Sequence, residues 1–206
     1  MPVRQRLSRA FYCRPTLQVA EDLIGKVVVH RASGGAHVAG AIVEVEAYIG
    51  ESDPACHAAP GPTSRNAPLY GPPGMSYVYL NYGMHYLLNA VTEPEGSPAA
   101  VLIRALAPLE GLETMRRRRG GRTRVREDAA LARGPGNLGR AFGLTLRQNQ
   151  LDLVASRLGI EDWGLSMAPV SWGPRIGIRV GVDRPWRCWV TGHPAVSGRR
   201  GTAVVP

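Results

Sequence analysis

Two acidic residues stand two positions apart in a segment that alternates like a β-strand, residues 38–48. Glu44 and Glu46 would then share one face of the strand with Ile42 and Tyr48. The opposite face would carry small or β-branched apolar residues: Val43, Val45 and Ala47. A carboxylate on a strand can act as general base on a water molecule, although two acids opposite an apolar face can also form a simple solvated surface.

An arginine lies inside a nearly continuous apolar run, at position 104 of residues 99–106. A buried guanidinium must be paired, because an unpaired buried charge costs several kcal/mol or more. Glu44 and Glu46 are the candidates of matching type. Such a pair could be purely structural, or it could hold a catalytic carboxylate ionised and oriented.

Residues 76–91 are predicted to form a β-hairpin that presents aromatic side chains. Tyr77, Tyr79 and Asn81 share one face of its first arm, and Gly83 allows the chain to reverse. Tyr82 then lies at the tip, where burial is difficult. Its ring is either one exposed member of an aromatic cluster or a wedge held out for insertion into a base stack.

A long loop rich in proline and glycine, residues 51–75, separates the acidic strand from the hairpin. It carries His57, Thr63, Arg65 and Asn66. Such loops often form binding surfaces and sometimes only connect strands, and His57 could equally be satisfied by local hydrogen bonds. The chain has no GxSxG motif, and its acids do not cluster like magnesium ligands, so we expect neither a serine nucleophile nor a metal site.

Short helices and strands must position these residues. Helices are predicted at residues 16–24, 108–118 and 129–132, and after the Gly-Pro turn at 134–135. Further strands are predicted at residues 26–31, 151–154, 174–182 and 187–190. We therefore expect one α+β domain over residues 11–198, with a curved, mixed or antiparallel sheet, flanking helices and a protruding hairpin. Residues 1–10 would form a loose basic arm and residues 199–206 a flexible tail.

The charge of the chain predicts a polyanionic partner or an anionic surface. Its 206 residues carry a formal net charge of +9, and the isoelectric point is near 10.2. Seven arginines fall between Arg116 and Arg126. They form either a solvated, mobile loop or a source of non-specific phosphate affinity that salt would weaken.

The cysteines and the N-terminal sequence bear on the compartment. Cys13, Cys56 and Cys188 have no CxxC spacing, so neither a disulfide framework nor a zinc site is indicated. The first residues contain no apolar run long enough for a signal peptide or a membrane span. We expect a soluble cytoplasmic protein that associates with the nucleoid.

Together these features predict hydrolysis of an N-glycosidic bond on a base turned out of DNA. An acid would activate water, aromatic rings would sandwich a flat cationic base, and the exposed tyrosine would fill the gap in the stack. A glycosylase that also cleaves the strand needs an amine for a Schiff base. The single lysine, Lys26, is remote in sequence from the site elements. We therefore expect no lyase activity, with the N-terminal amine as the open alternative.

Two other functions explain part of this pattern. A non-catalytic nucleic-acid-binding module accounts for the charge and the aromatic residues, but it leaves a Glu46–Arg104 pair without a task. A nucleoside hydrolase acting on free nucleosides needs neither the basic surface nor the wedge. Release of base from a methylated duplex in the absence of metal would separate the first of these from a glycosylase.

Several blocks of the sequence occur in an order and at a spacing more specific than any one block. They are DLIG at 22–25, IVEVEAY at 42–48, DPACH at 53–57, TSRN at 63–66, YVY at 77–79, YGM at 82–84, LIRAL at 102–106, GP at 134–135 with Leu138, and RIGI at 175–178. On these blocks the chain resembles the alkyladenine type of DNA-3-methyladenine glycosylase, which excises alkylated and deaminated purines. The resemblance extends from Phe11 to Ser197.

The resemblance implies an assignment of the hydrolytic groups. Glu46 would be the general base that activates the attacking water. Arg104 would help to hold that water and the carboxylate, and the backbone carbonyl of Ile176 would be a third contact to the water. The family uses no metal or organic cofactor, so none is expected here.

The resemblance also implies a base pocket. Tyr48 would stack on one face of the flipped base, with His57 and Tyr79 on the other. A backbone N–H near His57 would read the purine edge. Asn89 would crowd the exocyclic amino group of guanine and so limit attack on normal bases.

Damaged double-stranded DNA is the implied partner, bound by a monomer. Tyr82 would be the intercalating wedge, with Met84 beside it in the groove, and Arg65 and Arg140 are possible phosphate contacts. Three departures from the family pattern bear on affinity and substrate range more than on reaction type: Asn137 in place of a common lysine, Cys188 where an aromatic is usual, and His85 where some relatives have tyrosine.

Overall fold

A computed structural model describes residues 4–31, 35–120 and 125–198, and within them nine strands form one curved antiparallel sheet. The strands are β1 (Gln5–Arg6), β2 (Val27–Arg31), β3 (His37–Ile49), β4 (Ser76–Asn81), β5 (His85–Val91), β6 (Ala99–Glu110), β7 (Leu158–Asp162), β8 (Val170–Gly173) and β9 (Arg187–Val190). Their order is β1-β7-β2-β3-β6-β5-β4, and β9 pairs with β3 and with β8. The expected α+β class and single domain are confirmed.

Four α-helices flank the sheet in the described residues. They are α1 (Arg9–Tyr12), α2 (Thr16–Leu23), α3 (Leu112–Arg118) and α4 (Pro135–Phe142), with 3₁₀ turns at Ala67–Tyr70, Asp128–Ala130 and Leu146–Gln148. The main core joins Leu23 of α2 and Phe142 of α4 to Val45 and Ile103 on the central strands, all of them fully buried. This packing covers one face of β3 and β6 and leaves the other for the acidic residues. Within these residues no helix is long and apolar enough to cross a membrane.

A β-bulge in β3 determines which residues share a face. Pairing with β6 shifts register between Ile42 and Val45, so Val43 is an extra residue in the strand. Ile42 therefore packs in the main core with Val45 and Ala47, while Val43 belongs to a separate cluster. The expectation that Ile42 shares a face with Glu44 and Glu46 was wrong, because strict alternation does not survive an inserted residue.

The predicted hairpin forms from β4 and β5, which pair from Ser76 opposite Ala90 to Asn81 opposite His85. Three residues make the turn, and the Met84 N–H donates to the Asn81 carbonyl at 3.1 Å. Tyr82 has a positive φ of 48°, which is uncommon for a residue with a side chain. This tight turn leaves the Tyr82 ring 82% exposed.

Three segments differ from the predicted elements. The helix predicted at 108–118 begins at Leu112, because β6 continues to Glu110 opposite Ala39. Residues 151–154 and 174–182 are not strands, whereas β7 and β8 were missed. In residues 174–182 the letters alternate, but Gly177 and Gly181 adopt positive φ and turn the chain.

Residues 4–10 are not a loose arm. Gln5–Arg6 pairs with β7, and each nearby arginine meets an acid: Arg4 with Glu110 at 2.7 Å, Arg6 with Glu161 at 3.5 Å and Arg9 with Asp152 at 2.6 Å. The positive charges of these three arginines are therefore paired within the domain. The tail at 199–206 and residues 121–124 of the arginine-rich loop lie outside the described residues.

Candidate active site

A cavity of about 320 Å³ opens between the hairpin, β6, the loop 51–75 and the turn that follows β8. Aromatic and polar side chains contribute to its wall: Tyr48, His57, Tyr77, Tyr79, Tyr82, Asn89 and Arg104. Ile176, Gly177 and Ile178 close another side. The volume and the aromatic lining suit a flat heterocycle.

Glu46 lies behind this wall, fully buried and oriented by three partners. Its Oε1 accepts a hydrogen bond from the Ile176 N–H at 2.6 Å. Its Oε2 accepts one from the Tyr48 hydroxyl at 2.8 Å and forms an ion pair with Arg104 Nη1 at 3.0 Å. Each oxygen of a carboxylate offers about two lone-pair positions, so Oε1 has one position left for a further donor.

Arg104 is paired with both candidate acids, Glu44 and Glu46. Its Nε donates to Glu44 Oε1 at 2.9 Å, while Nη1 meets Glu46. Burial alone would lower the pKa of Arg104, but the charges of Glu46 and Glu44 outweigh it and hold that pKa above its ordinary value. The guanidinium therefore remains a cation between two acids.

Glu44 is as buried as Glu46 but has different partners. Besides Arg104, it accepts hydrogen bonds from Arg187 Nε at 2.8 Å and from the Ser197 N–H at 2.7 Å. Neither acid lines the cavity, but Glu46 contacts three residues that do: Tyr48, Arg104 and Ile176. Of these three residues Glu44 is bonded to Arg104. Glu44 is therefore a structural partner of Arg104, and Glu46 is the acid next to the cavity.

The aromatic walls have a defined geometry. The His57 and Tyr79 rings lie 4.5 Å apart between centroids, and His57 Nδ1 is hydrogen-bonded to the Tyr77 hydroxyl at 2.8 Å. Burial, followed by the charge of Arg65, lowers the pKa of His57 below its ordinary value. Burial and the neighbouring Glu46 carboxylate raise the pKa of Tyr48, which keeps its hydroxyl a donor. Both groups are uncharged at neutral pH.

Two further residues, Asn66 and Arg175, hold these walls in place. Asn66 donates to the His57 carbonyl at 2.7 Å and so fixes the loop at that residue. Arg175 donates to both oxygens of Asp53 at 2.5 and 2.8 Å, and its guanidinium lies 4.6 Å from the centre of the Tyr48 ring. Asn66, Asp53 and Arg175 all stand in the sequence blocks given above. Asn66 bonds His57, nine positions away, whereas Arg175 lies 122 positions from Asp53.

The remaining predicted site residues divide between the cavity and its surroundings. Asn89 lines the cavity and donates to the Tyr77 carbonyl at 2.9 Å. Met84 is 69% exposed and lines a neighbouring groove together with the exposed Arg140. Arg65 stands at the rim, 5.8 Å from the centre of the Tyr79 ring. Met84 and Arg140 therefore lie outside the cavity that Asn89 lines.

The sites of the three departures are also visible. Asn137 donates to the Arg133 carbonyl at 2.7 Å within α4 and its approach. Cys188 is fully buried opposite Val45, and His85 packs against Gly136 of α4. In the described part of the chain, no group of three or more His, Cys, Asp or Glu residues could hold a metal ion.

An oriented carboxylate beside an aromatic cavity defines a class of site, one that holds a flat ring next to a general base. The family model for methylpurine-DNA glycosylase matches residues 10–194. The chain belongs to the methylpurine-DNA glycosylase family. It is therefore a DNA glycosylase, a repair hydrolase whose substrate is damaged DNA.

Relatives over most of the chain carry the name "Putative 3-methyladenine DNA glycosylase". The protein of Burkholderia cenocepacia (strain HI2424) is 49% identical over 193 residues, which cover 92% of this chain and 90% of the relative. That of Chlorobaculum parvum (strain DSM 263 / NCIMB 8327) is 43% identical over 202 residues, or 95% and 92%. That of Methanocella arvoryzae (strain DSM 22066 / NBRC 105507 / MRE50) is 49% identical over 203 residues, or 97% and 98%.

Proposed function

We propose that this protein is a monofunctional glycosylase that flips alkylated or deaminated purines out of duplex DNA and hydrolyses their N-glycosidic bond. Its substrates would be of the 3-methyladenine, 7-methylguanine, hypoxanthine and etheno-adenine class, and its product an abasic site. The observation that carries the proposal is Glu46, buried and triply oriented next to an aromatic cavity. The protein would act as a monomer and without a metal or organic cofactor.

In the proposed reaction, a water donates a hydrogen bond to the remaining lone-pair position of Glu46 Oε1. As the bond between sugar and base breaks, the electron pair leaves with the base. The water oxygen bonds to the sugar carbon, and its proton passes to Glu46. Arg104 supports this step because its ion pair with Glu46, at 3.0 Å, holds the carboxylate in place. The Ile176 carbonyl would be a further contact to the water.

Recognition of the base would rest on stacking. Tyr48 would cover one face of the ring, with His57 and Tyr79 on the other, and alkylation gives the ring a positive charge that favours aromatic faces. The Arg175–Asp53 pair supports this role by holding Tyr48 from behind. A backbone N–H near His57 would read the purine edge. Asn89, held on the Tyr77 carbonyl, would reject the amino group of guanine.

Opening of the duplex would use the hairpin tip. Tyr82 stands exposed at the mouth of the cavity, where its ring could replace the extruded base in the stack. Met84 beside it would occupy the groove, and Arg65 and Arg140 would contact phosphates.

The absence of lyase activity is proposed from the lysine content. The amine of Lys26, the residue before β2, is bound to Asp162 of β7 at 2.6 Å, and Lys26 does not contribute to the cavity wall. No lysine side chain is therefore available to form a Schiff base with the sugar. Treatment of the reaction with borohydride should trap no protein–DNA adduct, and a trapped adduct would contradict this part of the proposal.

The experiment that tests the proposal is release of base from a methylated duplex by Glu46→Gln under single-turnover conditions. Loss of the general base should slow release of the nucleobase by about 10²- to 10⁴-fold, whereas DNA binding should persist. Glu161→Gln is the matched control, because Glu161 is also a buried, ion-paired acid but lies on β7. A fully active Glu46→Gln variant would refute the assigned base. Duplex binding without any release by the wild-type protein would favour the non-catalytic module.

A further inference from the structure

Ser197 ties the C-terminal segment of the described chain into the charged cluster behind the cavity. It is 8% exposed and contacts Glu44 twice. Its N–H donates to Glu44 Oε2 at 2.7 Å, and its hydroxyl donates to Oε1 at 3.0 Å. Its carbonyl accepts from Arg187 Nη2 at 2.9 Å. Ser197 lies beyond residues 10–194, which the family model matches.

The same hydroxyl also fixes Arg104. Arg104 Nη2 donates to Ser197 Oγ at 3.3 Å, and Arg104 Nε donates to Glu44 at 2.9 Å. A guanidinium is planar, so two bonds along one edge set the plane of the whole group. The remaining nitrogen, Nη1, then lies 3.0 Å from Glu46 Oε2, with which it forms an ion pair.

Gly198, the residue after Ser197, lies close to Ile176, a second residue that holds Glu46. Gly198 has a positive φ of 81°, and a Cβ at this position would lie 2.7 Å from Ile176 Cδ1. The backbone N–H of Ile176 donates to Glu46. Residues 197 and 198 therefore lie against two residues that orient this carboxylate, Arg104 with its guanidinium and Ile176 with its backbone N–H.

We propose that Ser197 is a positioning residue for base excision, which sets the plane of Arg104 and through it the orientation of Glu46. The inference rests on the proposed function of Glu46. Ser197 itself touches neither the base nor the water. Its effect would pass through a single contact, Arg104 Nη1 to Glu46.

The test compares Ser197→Ala with the wild type in single-turnover excision. Ser197→Ala should slow excision about tenfold, since it removes a hydrogen bond to a charged group on each side of the hydroxyl. DNA affinity should stay the same.

Two further variants separate positioning from general stability. Ser197→Thr retains the hydroxyl and should restore the rate. Ser171→Ala is the matched control, because Ser171 is buried and its hydroxyl bonds Thr191 Oγ1 at 2.7 Å, away from the site. It should leave the rate unchanged. If Ser197→Ala does not fold, Ser197→Cys takes its place, since a thiol is a weak donor of similar size.

The outcomes are distinct. A wild-type rate for the folded Ser197 variant would overturn the inference and leave the proposed function intact. An equal loss in Ser171→Ala would also overturn it, since any buried serine would then have the same effect. A wild-type protein that releases no base would overturn the proposed function and the inference with it.

Discussion

The backbone N–H of Ile176 donates to the carboxylate of Glu46 at 2.6 Å, across 130 positions of the chain. This contact is available because residues 174–182 form a turn instead of the strand that their alternation predicts. A backbone N–H that donates to a buried carboxylate limits the rotation of that carboxylate. The segment between β8 and β9 thereby becomes part of the candidate active site.

Tyr82→Ala should weaken binding to a duplex that contains a lesion and leave stability unchanged. The ring is 82% exposed, so its removal costs the fold little. Stacking on a base contributes about 1–3 kcal/mol, which corresponds to about a 5- to 150-fold change in affinity. Fluorescence anisotropy measures the affinity, and Tyr82→Phe, which keeps the ring, is the control. Binding and excision at wild-type levels in the alanine variant would contradict a wedge.

His57 should titrate below pH 6.5. Burial and then the charge of Arg65 lower its pKa in the folded protein, so the unfolded chain takes up this proton at higher pH. Stability should therefore decrease as the pH falls through 6.5, and the loss should be complete below the folded pKa. NMR of the imidazole follows the titration directly, and Arg65→Gln should raise the midpoint. A midpoint at or above 6.5 in the wild type would contradict the prediction.

The hairpin and the charged pair could be predicted from local patterns. The alternation of Tyr77 and Tyr79 ahead of Gly83 indicated the hairpin. The free-energy cost of burying Arg104 without a partner indicated that it pairs with Glu44 or Glu46. Both arguments depend on short segments and on single residue types. They hold because burial and strand period impose the same constraint in any fold.

The supports of the site could not be predicted in this way. Arg175 meets Asp53 across 122 positions, and Ser197 meets Glu44 across 153. The fold of the whole chain brings such distant residues together, and no local sequence pattern encodes these contacts. The bulge at Val43 has the same origin, because it depends on the pairing with β6 and not on β3 alone.

Asp53→Asn should destabilise the protein by about 3–5 kcal/mol at neutral pH, because it leaves the buried Arg175 without its anion. Burial raises the pKa of Asp53, but the hydrogen bonds and charge of Arg175 outweigh it and hold that pKa below the ordinary 3.8. This stabilisation is therefore present above pH 3.8 and lost as the pH falls through the folded pKa. Urea unfolding at several pH values measures the difference between wild type and variant, which should be largest near neutrality and shrink in acid. Asp183→Asn, which neutralises an exposed acid in the neighbouring turn, should leave stability unchanged. A wild-type advantage that stays constant down to pH 2 would show that the charge of Asp53 is not its source.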